Sequence, residues 1–524
     1  MKKMTAFTGI FLFCLLHSHL TRAQQMESSG LPSTISLPSP QPPAGVVPRL
    51  VRFSGVLKDR TGKAANGEVG LTCSLYELPE GGSPLWVESD AVKLDEQGRY
   101  TVLLGETFPE GLPLDLFTTG KALWLGVQPQ LPGAAEQPRI HVRALDSTPT
   151  QGIIPATLFG MHLISKSNWP TVSIGALGKG TEVVWPYVEQ TKGVFNWGNL
   201  DAWVSKAQSE GVSFFFSPEK VPPWAAADPS SCAPTYPGSS VMGCTSTVAN
   251  VQDWDDYVTA LVTRYKGRIQ IYELWNEPDA DFTGTMADLV TFTTHEYNII
   301  RAIDPAAFIL SPSPCGMDSL LDNWLAAGGP TGVDGISFHA YPWNVPPAPE
   351  SVIRYVNNIK AIAAKHGLSS KPIWNTEGSW GTTGLTSDAQ VAAVARFYLL
   401  QWSNGVSRFY WYAWDGGAWG SLWDNVTGPH PAATAYGQVY NWMVGASMTT
   451  PCSVDAKSTW TCGFSRPGGY QAQAIWNTAT TLSYRVPVAF TQYRDLAGHI
   501  SPIRGGDGLV MIGAKPILLE TRNP

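Results

Sequence analysis

The strongest constraint in this chain is an alternation. Between residues 155 and 447, eight short strand-like runs are separated by helical patterns: Leu158–His162, Val172–Leu177, Val212–Ser217, Ile269–Trp275, Phe308–Ser311, Gly335–His339, Pro372–Thr376 and Arg408–Trp414. Parallel strands need a crossover of a dozen or more residues, usually a helix. Eight such units over about 290 residues fit one (β/α)8 barrel. Two of the intervening helices carry clear signatures. Asn250 is placed to cap one whose apolar face runs through Trp254, Tyr257, Val258, Leu261, Val262 and Tyr265, and Ser387 to cap another with Val391, Val394, Ala395, Phe397 and Tyr398. An open doubly wound sheet is the rival, but no G-x-G-x-x-G follows the first strand.

On either side of this block the texture changes. Residues 50–147 hold short runs such as Leu50–Leu57, Val69–Tyr76, Arg99–Leu104 and Ala122–Val127, separated by the turn signals Asp59–Gly62 and Asp95–Gly98. Regular short strands without helical periodicity point to a β-sandwich-like accessory domain. Strand-like runs return at Tyr470–Trp476 and Leu509–Ile512, so residues 448–524 read as a small C-terminal β module. The fold class expected is therefore α/β: a TIM barrel flanked by two β modules.

Residues 1–23 read as a secretory signal, with Lys2 and Lys3 before the apolar run Phe7–Leu16 and a small residue, Ala23, at the cut. Residues 24–49, rich in Pro and Ser, read as an extended linker. A lipid anchor at Cys14 would want a small residue before it, and Phe13 stands there, so a released or periplasmic protein without a membrane anchor is expected. Cutting after Ala23 removes Lys2, Lys3 and Arg22 and no acid, moving the formal charge from -7 to -10.

Six Cys then remain. In an oxidising compartment Cys232 with Cys244, and Cys452 with Cys462, are plausible disulfides across short loops, which leaves Cys73 and Cys315 as buried thiols. No Cys/His cluster has zinc spacing, and neither a metal nor a cofactor is expected. An acidic chain with 15% charged residues argues against a nucleic-acid partner. The 21 Trp fit both a large core and a surface that stacks on the apolar faces of sugars. Nothing in the sequence speaks to oligomeric state.

In a (β/α)8 barrel the reactive groups sit at the C-terminal ends of the strands. The fourth run ends Trp275-Asn276-Glu277-Pro278 and the seventh ends Trp374-Asn375-Thr376-Glu377-Gly378. Glu277 and Glu377 are 100 residues apart, or three βα units of ~33, which is nearly half a turn of an eight-fold ring. The two carboxylates should face each other across the mouth, the equipment of glycoside hydrolysis. A single Glu at a strand end is often only solvated, so it is the pair on these two strands that carries the signal.

The two stretches resemble the retaining glycoside hydrolases of clan A, over roughly residues 155–447. Trp185-Pro186-Tyr187-Val188-Glu189 and Gly193-Val194-Phe195-Asn196-Trp197 are nearest in texture to families 39 and 5. The resemblance implies Glu277 as general acid/base, Glu377 as nucleophile, Asn276 on the sugar 2-hydroxyl, and no metal or cofactor. It further implies His339 and Tyr341 at the nucleophile or the sugar hydroxyls, and Trp414 as the platform for the reacting sugar. His162 is placed either on a hydroxyl or in the core. Trp185 and Trp224 are candidates for lining the cleft, with Trp343, Trp380 and Trp419 also near strand ends. One departure stands out: similar enzymes carry an Arg near the end of strand two, and no Arg occurs between Arg143 and Arg264. Lys179 and Lys220 are the cations on offer there.

The expected activity is hydrolysis of β-glycosidic bonds in an extracellular polysaccharide or oligosaccharide, by double displacement. The alternatives are a non-catalytic carbohydrate-binding protein on a degenerate barrel, and a transglycosylase using the same carboxylates.

Overall fold

The computed structural model describes residues 51–521 except 58–62, 66, 79, 109–110, 114–115, 117–122, 132–133, 138, 143–151, 179, 181, 237, 317, 343–347, 418–419 and 504–507. The expected signal (1–23), the linker (24–49), Lys179, Trp343 and Trp419 lie outside the described residues.

All eight expected strands form. We number them β1 (Phe159–Met161), β2 (Ala176–Leu177), β3 (Ser213–Phe216), β4 (Ile271–Glu273), β5 (Phe308–Leu310), β6 (Ile336–His339), β7 (Ile373–Gly378) and β8 (Val406–Trp411). They are hydrogen-bonded in the order 5-4-3-2-1-8-7-6, every pair parallel. Isolated parallel bridges Leu310–Gly335 and Cys315–His339 join β5 to β6 and close the ring. The result is a (β/α)8 barrel. Both barrel faces are covered, so the strands read as apolar runs rather than alternating ones. Strand β2 is shorter than its run: Val172 and Ile174 pack against the core without joining the ladder.

The barrel interior is filled, not hollow. Ala176, Phe215, Ile271, Phe308, Leu310, Trp374 and Tyr410 form one buried cluster. The Arg408 guanidinium lies 4.3 Å from the centroid of the Trp374 ring, with Nη1 3.2 Å from Ser213 Oγ. The helix Val251–Tyr265 is capped by the Asn250 side chain and buries the predicted apolar face. The helix Ser387–Ser403 is capped one residue earlier than expected: Thr386 is extended and accepts from Ala389 N–H, and Ser387 is the first helical residue.

The C-terminal region is β-rich, led by the antiparallel ladder of 447–454, 459–466 and 470–477. It meets the barrel at Glu350, whose carboxylate pairs with Arg396 and accepts from Trp476 Nε1 at 3.2 Å. The N-terminal region pairs Val51–Val56 with Arg99–Leu104 and orders 86–94, 67–76, 123–129 and 140–142 in a second sheet. Its buried Glu88 accepts from the N–H groups of Gly105 and Thr107. Both expected disulfides, Cys232–Cys244 and Cys452–Cys462, are present, and Cys73 and Cys315 are buried free thiols.

Glu296, on the helix Met286–Ile303, is 0% exposed and neither carboxylate oxygen has a partner. Burial, with a smaller push from Glu273, holds its pKa well above the usual carboxylate value. An acid whose folded pKa is raised costs stability once pH exceeds its unfolded pKa of about 4.3, at about 1.4 kcal/mol per pH unit until the folded pKa is reached. Glu296→Gln should therefore match the wild-type melting temperature near pH 4 and exceed it progressively toward pH 7. A melting difference that stays flat over that range would show that Glu296 is ionised in the fold.

Candidate active site

The chain turns sharply after β4. Glu277 sits in the left-handed region (φ 44°, ψ 56°), directly before the short helix Pro278–Asp281. A following proline disfavours the right-handed helical region, and a non-glycine residue in the left-handed one costs roughly 1–2 kcal/mol. That cost is held by neighbours: Glu277 N–H donates to Ser313 O at 3.0 Å, and Asn276 bridges Ser313 in parallel. Such enforced conformations gather at functional sites. The Glu277 side chain is 20% exposed and reaches His339, whose Nδ1 lies 2.7 Å from Glu277 Oε1.

Glu377 ends β7 opposite. Its Oε1 accepts a 2.6 Å hydrogen bond from the Tyr341 hydroxyl. His339 and Tyr341 therefore hold one carboxylate each from the same strand end, two residues apart. Burial, then the charges of Glu377 and Glu277, keep the Tyr341 phenol well above its usual pKa, so it remains a donor. His339 is fully enclosed. Burial alone would lower its pKa, but the charge of Glu377, the hydrogen bond it donates to Glu277 and the charges of Glu277 and Glu273 outweigh it and raise the value to about 9. His339 thus faces the carboxyl groups of Glu277, Glu377 and Glu273. Lys220 is engaged elsewhere, 2.6 Å from Asp281 Oδ1.

Beneath the pair lies Glu273, a third carboxylate, fully buried. It accepts from Thr376 Oγ1 at 2.6 Å and from Ser313 Oγ at 2.9 Å, tying β4 to β7 and to the segment after β5. His162 reaches the same strand: its Nε2 is 2.7 Å from Thr376 O, the carbonyl before Glu377. Of the two placements open to it, His162 takes the buried one and positions the backbone of β7. Its ring covers Gly178, where any Cβ would come within 2.5 Å of the imidazole.

The aromatic calls need correction. Trp414 is 0% exposed, and its carbonyl accepts from Leu422 and Trp423 N–H. Trp185 is also 0% exposed, stacked on Tyr257 at 4.9 Å and donating to Glu189 Oε2. Trp224 is half-buried, edge-on to Trp185, and donates to Glu189 O. Trp185 and Trp224 thus serve packing around Glu189, and Trp380 is buried against Trp411. Besides Tyr341, the half-buried Tyr412 borders the carboxylates, with its ring centroid 5.5 Å from that of His162. Burial and then the charges of Glu377 and Glu277 raise its pKa. It follows Trp411, the last residue of β8, and no local pattern in the sequence separates it from Trp414.

Cys315 was also missed as a site residue. It lies just beyond β5, 7% exposed, with its N–H held by both oxygens of Asp279 at 2.9 and 3.0 Å. Burial and the charges of Glu277 and Glu377 push its thiol pKa far up.

A family model described as a domain of unknown function (DUF8740) matches residues 52–139. None of the curated proteins compared matches the chain. Among solved structures, a family 39 glycoside hydrolase from the gut symbiont Bacteroides cellulosilyticus WH2 is 17% identical, with a TM-score of 0.53, over 87% of this chain and 96% of that one. A monomeric beta-xylosidase from Caulobacter crescentus CB15 is 14% identical, with a TM-score of 0.51, over 69% of this chain and 96% of that one. The architecture of this chain is the (β/α)8 barrel of those glycoside hydrolase structures.

Proposed function

We propose that this chain is a secreted retaining glycoside hydrolase that cleaves β-glycosidic bonds in a polysaccharide or oligosaccharide. The observation that carries the reading is the convergence of Glu277 and Glu377 on His339 and Tyr341, 2.7 and 2.6 Å away, at the C-terminal ends of β4, β6 and β7. Two carboxylates across a barrel mouth, each oriented by a buried donor, suit double displacement.

In the first step a Glu377 oxygen attacks the anomeric carbon while Glu277 gives its proton to the leaving oxygen, so the C–O bond breaks and a glycosyl ester forms. In the second step Glu277 takes a proton from water, whose oxygen attacks the same carbon and releases Glu377. Asn276 is assigned to the sugar 2-hydroxyl, and Tyr412, rather than Trp414, to the face of the reacting sugar. The solved structures sharing the fold include one described as a beta-xylosidase, so xylosides and xylan belong in the substrate panel.

The test is reducing-sugar release by the mature protein from plant and microbial polysaccharides and β-linked oligosaccharides, with Glu377→Gln alongside. Release by the wild type alone, with the product anomer retained by NMR at early times, is expected. Binding without release in both proteins would make this a carbohydrate-binding protein. Inverted product would remove Glu377 as nucleophile.

A further inference from the structure

Ligand-type atoms from three strand ends meet beside Glu277. The Cys315 thiol, an imidazole nitrogen of His339 and a carboxylate oxygen of Glu277 all lie within 4.8 Å of one another. We propose that these three side chains form a site for a zinc-like divalent cation, Zn2+ or Cd2+, which closes the acid/base position when bound.

The donor set argues for that class of ion. One sulfur, one nitrogen and one carboxylate oxygen suit zinc and softer neighbours, whereas magnesium and calcium take oxygen alone. Three protein ligands with a fourth position left to water is a recurrent zinc arrangement. Around a tetrahedral zinc with bonds of ~2.0–2.3 Å, donor atoms stand ~3.3–3.7 Å apart. Side-chain rotations of about an ångström would bring this trio to that spacing.

The backbones that carry the donors are already pinned. Asp279 holds the Cys315 N–H, Pro314 O accepts from His339 N–H at 2.9 Å, and Ser313 O accepts from Glu277 N–H at 3.0 Å. Cys315 and His339 are also bridge partners in the ring. Cys315 is in no disulfide, and the partly exposed Glu277 gives the ion a way in from the cleft. Binding sends the thiol proton, and the imidazolium proton where present, to solvent. Strand-end donors 38 and 24 residues apart (277, 315, 339) present no zinc spacing in sequence.

Binding itself does not depend on the hydrolase reading; only the inhibition that follows from it does. Titration of the purified protein with Cd2+ alone should give a sulfur-to-cadmium charge-transfer band saturating at one equivalent. Calorimetry with Zn2+ should give the same stoichiometry. Cys315→Ser should lose the band and weaken Zn2+ at least about tenfold, while Cys73→Ser, which removes the other free thiol among the described residues, should keep both. To separate ligation from any change in packing at Cys315, His339→Asn is run beside it and should weaken Zn2+ to a similar degree, and in the unaltered protein Zn2+ should slow alkylation of Cys315 read by peptide mass spectrometry. A band that survives Cys315→Ser and is lost in Cys73→Ser, no stoichiometric binding, or alkylation indifferent to zinc would each overturn the proposal. If a hydrolysable glycoside is found, zinc should inhibit reversibly, with chelator restoring activity.

Discussion

Replacing Glu377 by Ala is expected to lower kcat/KM at least about 10^4-fold, because the covalent step loses its nucleophile. The fold should survive. Glu377 is partly exposed at the end of β7, and the substitution gives up the hydrogen bond from Tyr341 without opening a buried core site. The space left beside the Tyr341 hydroxyl admits a small anion. Azide should therefore restore part of the rate on substrates with good leaving groups and yield a glycosyl azide of inverted configuration. Glu377→Gln keeps the shape and a hydrogen-bond partner for Tyr341, and should be as inactive without melting earlier. Near-normal turnover in Glu377→Ala would remove this residue from the mechanism.

Glu277→Ala should separate substrates by leaving group. Poor leaving groups need the proton and should slow by about 10^2–10^4-fold, whereas activated aryl glycosides, which need none, should keep most of their first-step rate. A uniform loss across leaving groups would count against the acid/base assignment. The backbone supplies an independent check. At φ 44° a glycine is at ease where glutamate is not, so Glu277→Gly should be inactive on poor leaving groups yet melt no lower than Glu277→Ala. Lower melting of the glycine variant would mean that the left-handed turn is not held in solution.

How much of the site was legible follows from its chemistry. Glu277 and Glu377 were found because carboxylates at the ends of runs four and seven are set by strand count, a one-dimensional property. The roles of His339 and Tyr341 at the end of run six came from the family resemblance, and the structure places both against the carboxylates. Trp414, the platform that the resemblance implies, is fully buried, because sequence does not say where a strand stops and its loop begins to fold back. The hydrogen bonds of Leu422 and Trp423 to Trp414 O bury it. Glu273 was quoted inside the fourth run and passed over: a carboxylate mid-strand reads as ordinary until Ser313 and Thr376, 40 and 103 residues away, are seen to satisfy it.

The sequence by itself determined the barrel, its strand count, the two disulfide loops and the strands that carry Glu277 and Glu377, because each of these rests on periodicity or on spacing within one segment. Only the tertiary structure decided which side chains meet. Ring closure at Leu310–Gly335 and Cys315–His339 brings a thiol, an imidazole and a carboxylate from three separate strands to one point. Those encounters depend on through-space distances between residues far apart in the chain, and no local pattern encodes them.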